Sequence, residues 1–152
     1  MPATLGRHVA VFIATGGYVG YLRGAPGTAG SVLGVVLSWI LSKWSLYIQI
    51  GLLLSLFILG VVTASCAERW FGTKDPRAIV IDEIVGMVLA LFALPFRIGY
   101  VIAAFALFRA LDILKPLPAI EHLPAGWGIM CDDLVAAIIT NIVLQGVRVV
   151  LQ

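Results

Sequence analysis

Apolar residues along the chain form six long runs, separated by short polar segments. The runs cover residues 9–22, 28–42, 46–64, 84–94, 98–108 and 134–151. Two of them, 46–64 and 134–151, approach the length of about 20 residues that an α-helix needs to cross the hydrocarbon core of a bilayer. The others reach that length only if the polar residues at their ends are also helical. None of the runs sustains the alternation of apolar and polar residues that is typical of a strand.

Prolines and glycines predict where the helices begin and end. An Asp-Pro pair at 75–76 suits the N-cap and the first turn of a helix, which predicts a helix over residues 76–94. A further helix is expected over residues 98–115, because the prolines that follow cannot continue it. Residues 117–130 contain several glycines and prolines and are expected to form a loop.

These elements predict an all-α protein: a multihelical, membrane-associated bundle of about five or six helices without a sheet, in a single domain over residues 1–152. Hydrophobic residues make up 61% of the chain, charged residues 12%, and the mean hydropathy is +1.07. Soluble domains carry about 25% charged residues, and a chain of this length cannot hide so much apolar surface in one core. Because the net charge is only +2 and no basic run occurs, no nucleic-acid partner is expected. The N-terminus lacks the pattern of a cleavable signal peptide.

The charged residues are distributed unevenly if the helices after Gly27 form hairpins. All eight acidic residues then lie at one end of the bundle, together with seven of the ten lysines and arginines, where the inclusion of Arg7 assumes that the run over residues 9–22 does not cross the membrane. The three basic residues at the other end are Lys43, Arg97 and Arg148. The positive-inside rule predicts that the crowded end is cytoplasmic, and ionisable groups at membrane depth usually mark a functional site.

The first polar segment, residues 23–31 (RGAPGTAGS), is rich in small residues. Such residues let the backbone approach a ligand closely, and the start of the following helix offers free N–H groups to an anion. Thr28 or Ser31 could also cap that helix. Since a glycine-rich turn between two helices has the same composition, this segment alone leaves both interpretations open.

The second polar segment, residues 75–86, contains two adjacent carboxylates at the start of an apolar helix. Asp82 and Glu83 lie among isoleucines and valines, where two charges are costly unless a cation binds them. Gly86 leaves space one turn away from Asp82. We therefore expect Asp82 and Glu83 to bind a metal, whereas Asp75 is expected to be a helix cap.

The third polar segment combines residues 109–118 with residues 126–133. Arg109 and Asp112 share a helix face, and a structural ion pair is the alternative to a functional role for them. The adjacent acids at 132–133 open another apolar helix, and one of the two could cap it. Carboxylates are hard oxygen ligands that suit Mg²⁺ or Mn²⁺, and arginine and lysine suit phosphate oxygens.

The nucleophilic side chains give no support to a covalent mechanism. Neither Cys66 nor Cys131 is followed six residues later by the arginine of a cysteine-loop phosphatase, and the Asp-x-Asp motif of haloacid dehalogenase-type phosphatases is absent. His8 and His122 are far apart and lie outside the acidic segments. The chemistry that remains is attack of metal-activated water on a phosphate whose charge is held by arginine and lysine.

Four motifs, in this order, resemble those of the phosphatidylglycerophosphatase A family. They are APGTAGS at 25–31, the acidic stretch at 75–86, FRALDILKPLP at 108–118 and GWGIMCDD at 126–133. The resemblance extends over about residues 24–141 and implies an all-helical, Mg²⁺-dependent phosphatase of bacterial inner membranes. It also implies conversion of phosphatidylglycerophosphate to phosphatidylglycerol and phosphate. One departure is the Ala-Gly pair at 125–126, where many members carry paired glycines; it bears on substrate access more than on chemistry.

The residues and the resemblance together predict the members of the site. The expected metal ligands are Asp82, Glu83, Asp132 and Asp133. The expected catalytic groups are Asp82, Asp112 and Asp133, with Asp112 as a ligand or general base. The expected phosphate-binding residues are Arg23, Thr28, Arg109 and Lys115. The substrate is expected to be a membrane lipid that reaches the site from the cytoplasmic side.

Two other classes of protein share parts of this pattern. A CDP-alcohol phosphotransferase is also acidic and membrane-bound, but its long Asp-Gly, Ala-Arg, Gly, Asp, Asp spacing is not present in this chain. A small transporter could use the carboxylates as an ion or metabolite site near the membrane midplane. Acids at one face of the membrane disfavour a transporter, because transport sites lie near the midplane.

Overall fold

Six α-helices account for most of residues 2–151, the part of the chain that this computed structural model describes. They are α1 (Pro2–Ala14), α2 (Pro26–Leu41), α3 (Leu46–Phe71), α4 (Ile81–Ala90), α5 (Ile98–Leu114) and α6 (Gly126–Val150). Two short 3-10 helices, Val19–Tyr21 and Pro118–His122, lie in the connections. No strand occurs among residues 2–151, so the prediction of an all-α bundle of five or six helices is confirmed.

Helix α4 lies at the centre of the bundle and contacts α2, α3, α5 and α6. Eight of its ten residues are buried. One apolar cluster joins it to α1 and α3 through Val85, and a second joins it to α5 and α6 through Met87. Because almost the whole surface of α4 faces protein, the acidic pair in its first turn is carried into the interior.

Glycines allow α2 to pack closely against α4. A β-carbon at Gly30 would lie 2.9 Å from the Cβ of Val80, and one at Gly34 would lie 2.6 Å from the Cβ of Met87. These two contacts proceed in the same direction along both helices, so α2 and α4 are parallel. The first turns of the two helices therefore lie at the same end of the bundle.

Helix α4 begins at Ile81 and not at the Asp-Pro pair that the sequence pattern favours. Asp75 has a left-handed backbone, with a φ of 48°. The N–H of Val80 donates to the carbonyl of Ala14 at 2.9 Å, and Val80 is fully buried. These contacts with α1 hold residues 76–80 in a loop. The expectation that Asp75 caps a helix is therefore wrong.

Helix α6 begins at Gly126, inside the segment predicted to be a loop. The N–H of Gly126 donates to Ser65 Oγ of α3 at 2.9 Å, and the glycine packs against the α3 backbone. This support from α3 lets the helix start despite the preceding proline and glycines. Asp132 and Asp133 consequently lie in the second turn of α6, and neither of them caps it.

The sequence predicted the end of α5 more closely than the capping at the start of α2. No side chain caps α2, whose first residue is Pro26. Ser31 Oγ donates to the Gly27 carbonyl one turn earlier, at 3.0 Å, so the expectation of a cap from Thr28 or Ser31 is wrong. Helix α5 ends one residue before Lys115, which has a left-handed φ of 47°, close to the predicted end.

Two helices, α3 with 26 residues and α6 with 25, are long and apolar enough to cross a membrane. At 1.5 Å per residue, α3 is about 39 Å long, which exceeds the hydrocarbon core of about 30 Å. Tyr47 near its start and Trp70 near its end are both exposed. Aromatic residues at two such levels are typical of helices that meet both membrane interfaces.

The end of α4 that is remote from its acidic pair is held by polar side chains of α6. The Asn141 amide donates to the carbonyls of Leu89, Ala90 and Phe92, at 3.2, 3.1 and 2.8 Å. Arg148 donates to the Ala93 carbonyl at 3.0 Å. The last carbonyls of a helix have no partner within the helix, so these bonds allow α4 to end among apolar neighbours.

Candidate active site

A cavity of about 540 Å³ opens at the end of the bundle where α2 and α4 begin and α5 ends. Five parts of the chain contribute to its wall, and they include residues from each of the three polar segments. The contributing stretches are 24–27, 74–79, 82–83, 109–115 and 125–133. Segments that are distant in sequence are thus brought together around one space.

Three carboxylates meet at the inner wall of this cavity. Asp82 and Glu83 come from the first turn of α4, and Asp133 comes from α6. One oxygen of each lies within 4.8 Å of the others. Asp82 and Asp133 are buried and Glu83 is half-buried. Carboxylates at this mutual distance repel one another unless protons or a cation compensate their charge.

One oxygen of each of these three carboxylates is not satisfied by the part of the protein that the structure describes. Asp82 Oδ1, Glu83 Oε2 and Asp133 Oδ2 are buried and accept no hydrogen bond from the described residues. Burial, followed by the charges of Glu83 and Asp133, raises the pKa of Asp82 well above its ordinary value. Burial also raises the pKa of Glu83. Orphaned buried oxygens are costly, and a divalent cation with a preference for oxygen ligands fits this set.

Arg109 approaches the carboxylate group from α5. Its guanidinium pairs with Asp112, one turn further along the same helix. A β-carbon at Gly27 would lie 3.1 Å from both Nη atoms of Arg109 and would collide with Glu83 Oε1. The first turn of α2 therefore contacts the guanidinium and the carboxylate through a backbone without a side chain.

Lys115 and Asp132 form a second ion pair on the cavity wall. Lys115 Nζ lies 3.3 Å from Asp132 Oδ2, and the Asp132 side chain is 11% exposed. Asp132 lines the same cavity as Asp133 but lies outside the group of three carboxylates. The structure thus gives the two adjacent acids different surroundings, a distinction that their sequence did not reveal.

Two of the predicted phosphate-binding residues do not line the cavity. Arg23 and Thr28 are absent from its wall, whereas the backbone between them, Gly24 to Gly27, contributes to it. Gly24 has a left-handed φ of 106°, which helps this turn to enter the wall. The small residues of the first polar segment therefore approach the site as expected, but by their backbone.

Two basic residues outside the predicted set also line the cavity. Lys74 and Arg77 belong to the loop between α3 and α4 and are exposed. Their positive charges on either side of Asp75 could have indicated an anion-binding site. The Asp-Pro pair was instead interpreted as a helix start, and a helix cap requires no ligand.

Comparisons with known proteins bear on the family of this chain. The family described as Phosphatidylglycerophosphatase A matches residues 12–148. A protein of that name from Haemophilus influenzae is 39% identical over 142 residues, covering 90% of this chain and 86% of the relative. One of the same name from Escherichia coli is 36% identical over 121 residues, covering 76% and 69%. A Bacteroides thetaiotaomicron protein provisionally named phosphatidylinositol-3-phosphatase is 38% identical over 148 residues, covering 91% and 92%.

No solved structure matches the chain. The family match spans all four motifs on which the sequence resemblance depends, and each of the five contributing stretches of the cavity wall overlaps one of those motifs, two of them lying wholly within it. The resemblance predicted from the motifs is thereby confirmed. The chain belongs to the phosphatidylglycerophosphatase A family.

Proposed function

We propose that the protein hydrolyses the terminal phosphomonoester of phosphatidylglycerophosphate and releases phosphatidylglycerol and phosphate. The observation that carries this proposal is the meeting of three carboxylates, Asp82, Glu83 and Asp133, in one cavity with Arg109 and Lys115. Carboxylates suited to a metal, next to cations suited to phosphate, are the groups that metal-assisted phosphate hydrolysis requires. The family of the chain and the names of two of its relatives support the same reaction.

The proposed metal is Mg²⁺, held by the three orphaned carboxylate oxygens. The set contains only hard oxygen ligands, which favours Mg²⁺ over softer metals. When bound, the cation supplies the Lewis acidity that activates water and neutralises charge on the phosphate. Asp132, which the sequence pattern predicts as a further ligand, pairs with Lys115 outside this group of three.

The arginine and the lysine of the site are proposed to bind the terminal phosphate. Arg109 and Lys115 each contact a carboxylate, Asp112 and Asp132. Phosphate oxygens can take over or share these donors, because an arginine has several N–H groups and a lysine has three. The N–H groups at the start of α2 provide further donors toward the same space. Thr28 and Arg23 stay outside this set in the present geometry.

Asp112 is proposed to be the group that accepts the proton of the attacking water. It lines the cavity and is held by Arg109, which fixes the direction of its carboxylate. A general base must reach the reacting group through a short hydrogen bond, and Asp112 lies on the same wall as the three carboxylates without belonging to their group. Asp82 and Asp133 remain the alternative bases if Asp112 serves only to orient Arg109.

The cavity is proposed to face the cytoplasm from the inner membrane. The two long apolar helices α3 and α6 are the candidate spans. The cavity lies at the end of the bundle where the polar segments gather, opposite to Lys43 and Arg97, and the positive-inside rule favours the cytoplasm for that end. This placement brings the carboxylates to one face of the membrane, as a phosphatase needs, and not to its midplane, as a transporter would.

Phosphate release from defined lipids tests the proposed reaction. Purified protein in neutral detergent is offered phosphatidylglycerophosphate with Mg²⁺, with excess EDTA, and with Mg²⁺ restored after EDTA. We expect turnover in the first and third conditions alone. Phosphatidylinositol 3-phosphate, the lipid in the name of the Bacteroides relative, is assayed beside it. Higher kcat/KM for the inositol lipid, or no turnover of phosphatidylglycerophosphate with Mg²⁺, would reject the proposed substrate.

A further inference from the structure

The cavity has a basic outer wall in addition to its acidic inner wall. Lys74 and Arg77 line it and are exposed, whereas Asp82 and Asp133 are buried. Among the side chains that the structure describes, Arg77 takes part in none of the ion pairs. The two basic residues are therefore separated in depth from the carboxylates that would hold a metal.

The loop that carries these basic residues is attached to the bundle on both sides of Arg77, and the first attachment directly follows Lys74. The Asp75 N–H donates to Glu68 Oε1 of α3 at 3.3 Å, and the Val80 N–H donates to the Ala14 carbonyl at 2.9 Å. Between these bonds, the carbonyl of Ala78 packs directly on Gly20, where a β-carbon would overlap it. Three contacts in a short loop fix the backbone around Lys74 and Arg77.

The same loop follows aromatic residues that suit the membrane interface. Trp70 and Phe71 end helix α3, and the ring of Phe71 lies 6.3 Å from that of Tyr21. Trp70 and Tyr21 are both about half exposed. Tryptophan and tyrosine favour the level of the lipid head groups, so Lys74 and Arg77 lie next to the level where a lipid phosphodiester is found.

We propose that Lys74 and Arg77 form a second anion subsite, which binds the phosphodiester of the lipid substrate while its terminal phosphate lies at the inner wall. This inference rests on the proposed function. Phosphatidylglycerophosphate carries two phosphates, a diester beside the acyl glycerol and a monoester at the far end of the head group. A cavity with cations at two depths matches those two anions, and the arginine fork can contact two phosphate oxygens at once.

The subsite selects lipids by the presence of a second phosphate. Phosphatidylglycerophosphate and phosphatidylinositol 3-phosphate both have a phosphodiester between the acyl glycerol and the phosphorylated head group. Phosphatidic acid has a phosphomonoester only. Occupation of the subsite by a phosphodiester therefore favours the first two lipids over phosphatidic acid, irrespective of whether the head group is glycerol or inositol.

The experiment compares the variants Arg77→Gln and Lys74→Gln/Arg77→Gln with the unaltered protein in detergent micelles. We expect KM for phosphatidylglycerophosphate to rise about tenfold to a hundredfold, as the loss of one or two charged hydrogen bonds implies, with kcat within about twofold. The KM for phosphatidic acid, or its Ki as an inhibitor of phosphatidylglycerophosphate hydrolysis, should stay within about twofold of the value for the unaltered protein. Arg7→Gln is the matched control, because it removes a positive charge outside the cavity wall.

Three results separate the subsite from the reaction itself. No turnover of phosphatidylglycerophosphate by the unaltered protein would reject the proposed function. Normal turnover with an unchanged KM in both variants would reject the subsite alone. Equal weakening of phosphatidic acid and phosphatidylglycerophosphate would also reject the subsite, because it would assign Lys74 and Arg77 to general attraction or to the terminal phosphate.

Discussion

Gly27 and Arg109 are packed so closely that the guanidinium occupies the space in which a side chain at position 27 would begin. A β-carbon there would lie 3.1 Å from both Nη atoms and would collide with Glu83 Oε1. The backbone of α2, the arginine of α5 and the carboxylate of α4 thus meet at one point. The candidate site therefore depends on the absence of a β-carbon at position 27 as well as on the side chains that form it.

The variant Gly27→Ala tests this relationship. We expect kcat/KM to fall at least about tenfold, which corresponds to about 1.4 kcal/mol, because the methyl group must displace Arg109 or Glu83. Gly146→Ala is the matched control in α6, since a β-carbon there meets no atom within 4 Å. Equal activity of the two variants would show that α2 can shift to accommodate the methyl group without displacing Arg109 or Glu83.

The carboxylate group is tested by Glu83→Gln and Asp133→Asn. Each substitution keeps the size of the side chain and removes a charge, and each should lower kcat by about a hundredfold or more, on the order of 3 kcal/mol. Both should also abolish the rise in melting temperature that Mg²⁺ gives the unaltered protein.

Asp132→Asn is the informative comparison for Asp133→Asn. Since Asp132 pairs with Lys115 outside the group of three carboxylates, we expect its variant to keep the stabilisation by Mg²⁺ and to lose activity mainly through KM. Loss of stabilisation by Mg²⁺ in Asp132→Asn would instead establish it as a ligand, as the sequence pattern predicts.

Arg109 is tested by substitution with lysine and with alanine. If it binds phosphate, Arg109→Lys should lower kcat/KM by about tenfold or more, because lysine lacks the planar fork, while the melting temperature stays close to that of the unaltered protein. If the pair with Asp112 is structural, the lysine variant should retain near-normal kinetics and Arg109→Ala should melt earlier. Kinetics and melting measured on the same preparations separate the two roles.

The metal-free protein should become more stable as the pH falls from neutral toward about 4. Burial raises the pKa of Asp82 and of Glu83 in the folded state, whereas in the unfolded chain they titrate at about 4. Between about pH 4 and the raised pKa values of the folded state, the folded protein binds more protons than the unfolded chain. The free energy of unfolding therefore decreases as the pH rises. Melting in EDTA across this range should show that slope, and Asp82→Asn should reduce it and raise the melting temperature near pH 7. If the melting temperature of the unaltered protein does not change with pH, burial of these carboxylates does not destabilise the metal-free protein as expected.

The proposed orientation is tested by cysteine labelling in a background without native cysteines, Cys66→Ser/Cys131→Ser. An impermeant maleimide added outside the cytoplasmic membrane should label Lys43→Cys or Arg97→Cys, and should label Lys74→Cys only after the membrane is opened. The opposite pattern would reverse the proposed orientation. Labelling of all three from outside would indicate a bundle that lies on the membrane surface.

Sequence patterns predicted those features that depend on neighbouring residues. The prolines after Lys115 ended α5 where expected, and the cost of adjacent charges among isoleucines and valines indicated Asp82 and Glu83. The start of α4 depends instead on a hydrogen bond between Val80 and Ala14, which are distant in sequence. No local pattern contains that bond.

The same limit explains why the residues that line the cavity differ from the predicted phosphate-binding set. Arg23 and Thr28 are suitable residue types in the correct segment, but the turn that carries them presents its backbone to the cavity. Lys74 and Arg77 line the wall only because their loop is attached to α3 and α1. Whether a side chain near a site enters it is decided by packing between elements, and residue type alone does not reveal this.

The brevity of α4 determines the order in which the enzyme can be assembled during synthesis. With ten residues, α4 is about 15 Å long, half of a bilayer core, and cannot insert as an independent span. Its last carbonyls accept hydrogen bonds from Asn141, and its two carboxylates are joined by Asp133; both residues belong to α6, which follows α4 in the chain. A nascent chain that lacks α6 therefore lacks both these hydrogen bonds and the third carboxylate, so the group of three carboxylates and the completed bundle arise in the same step.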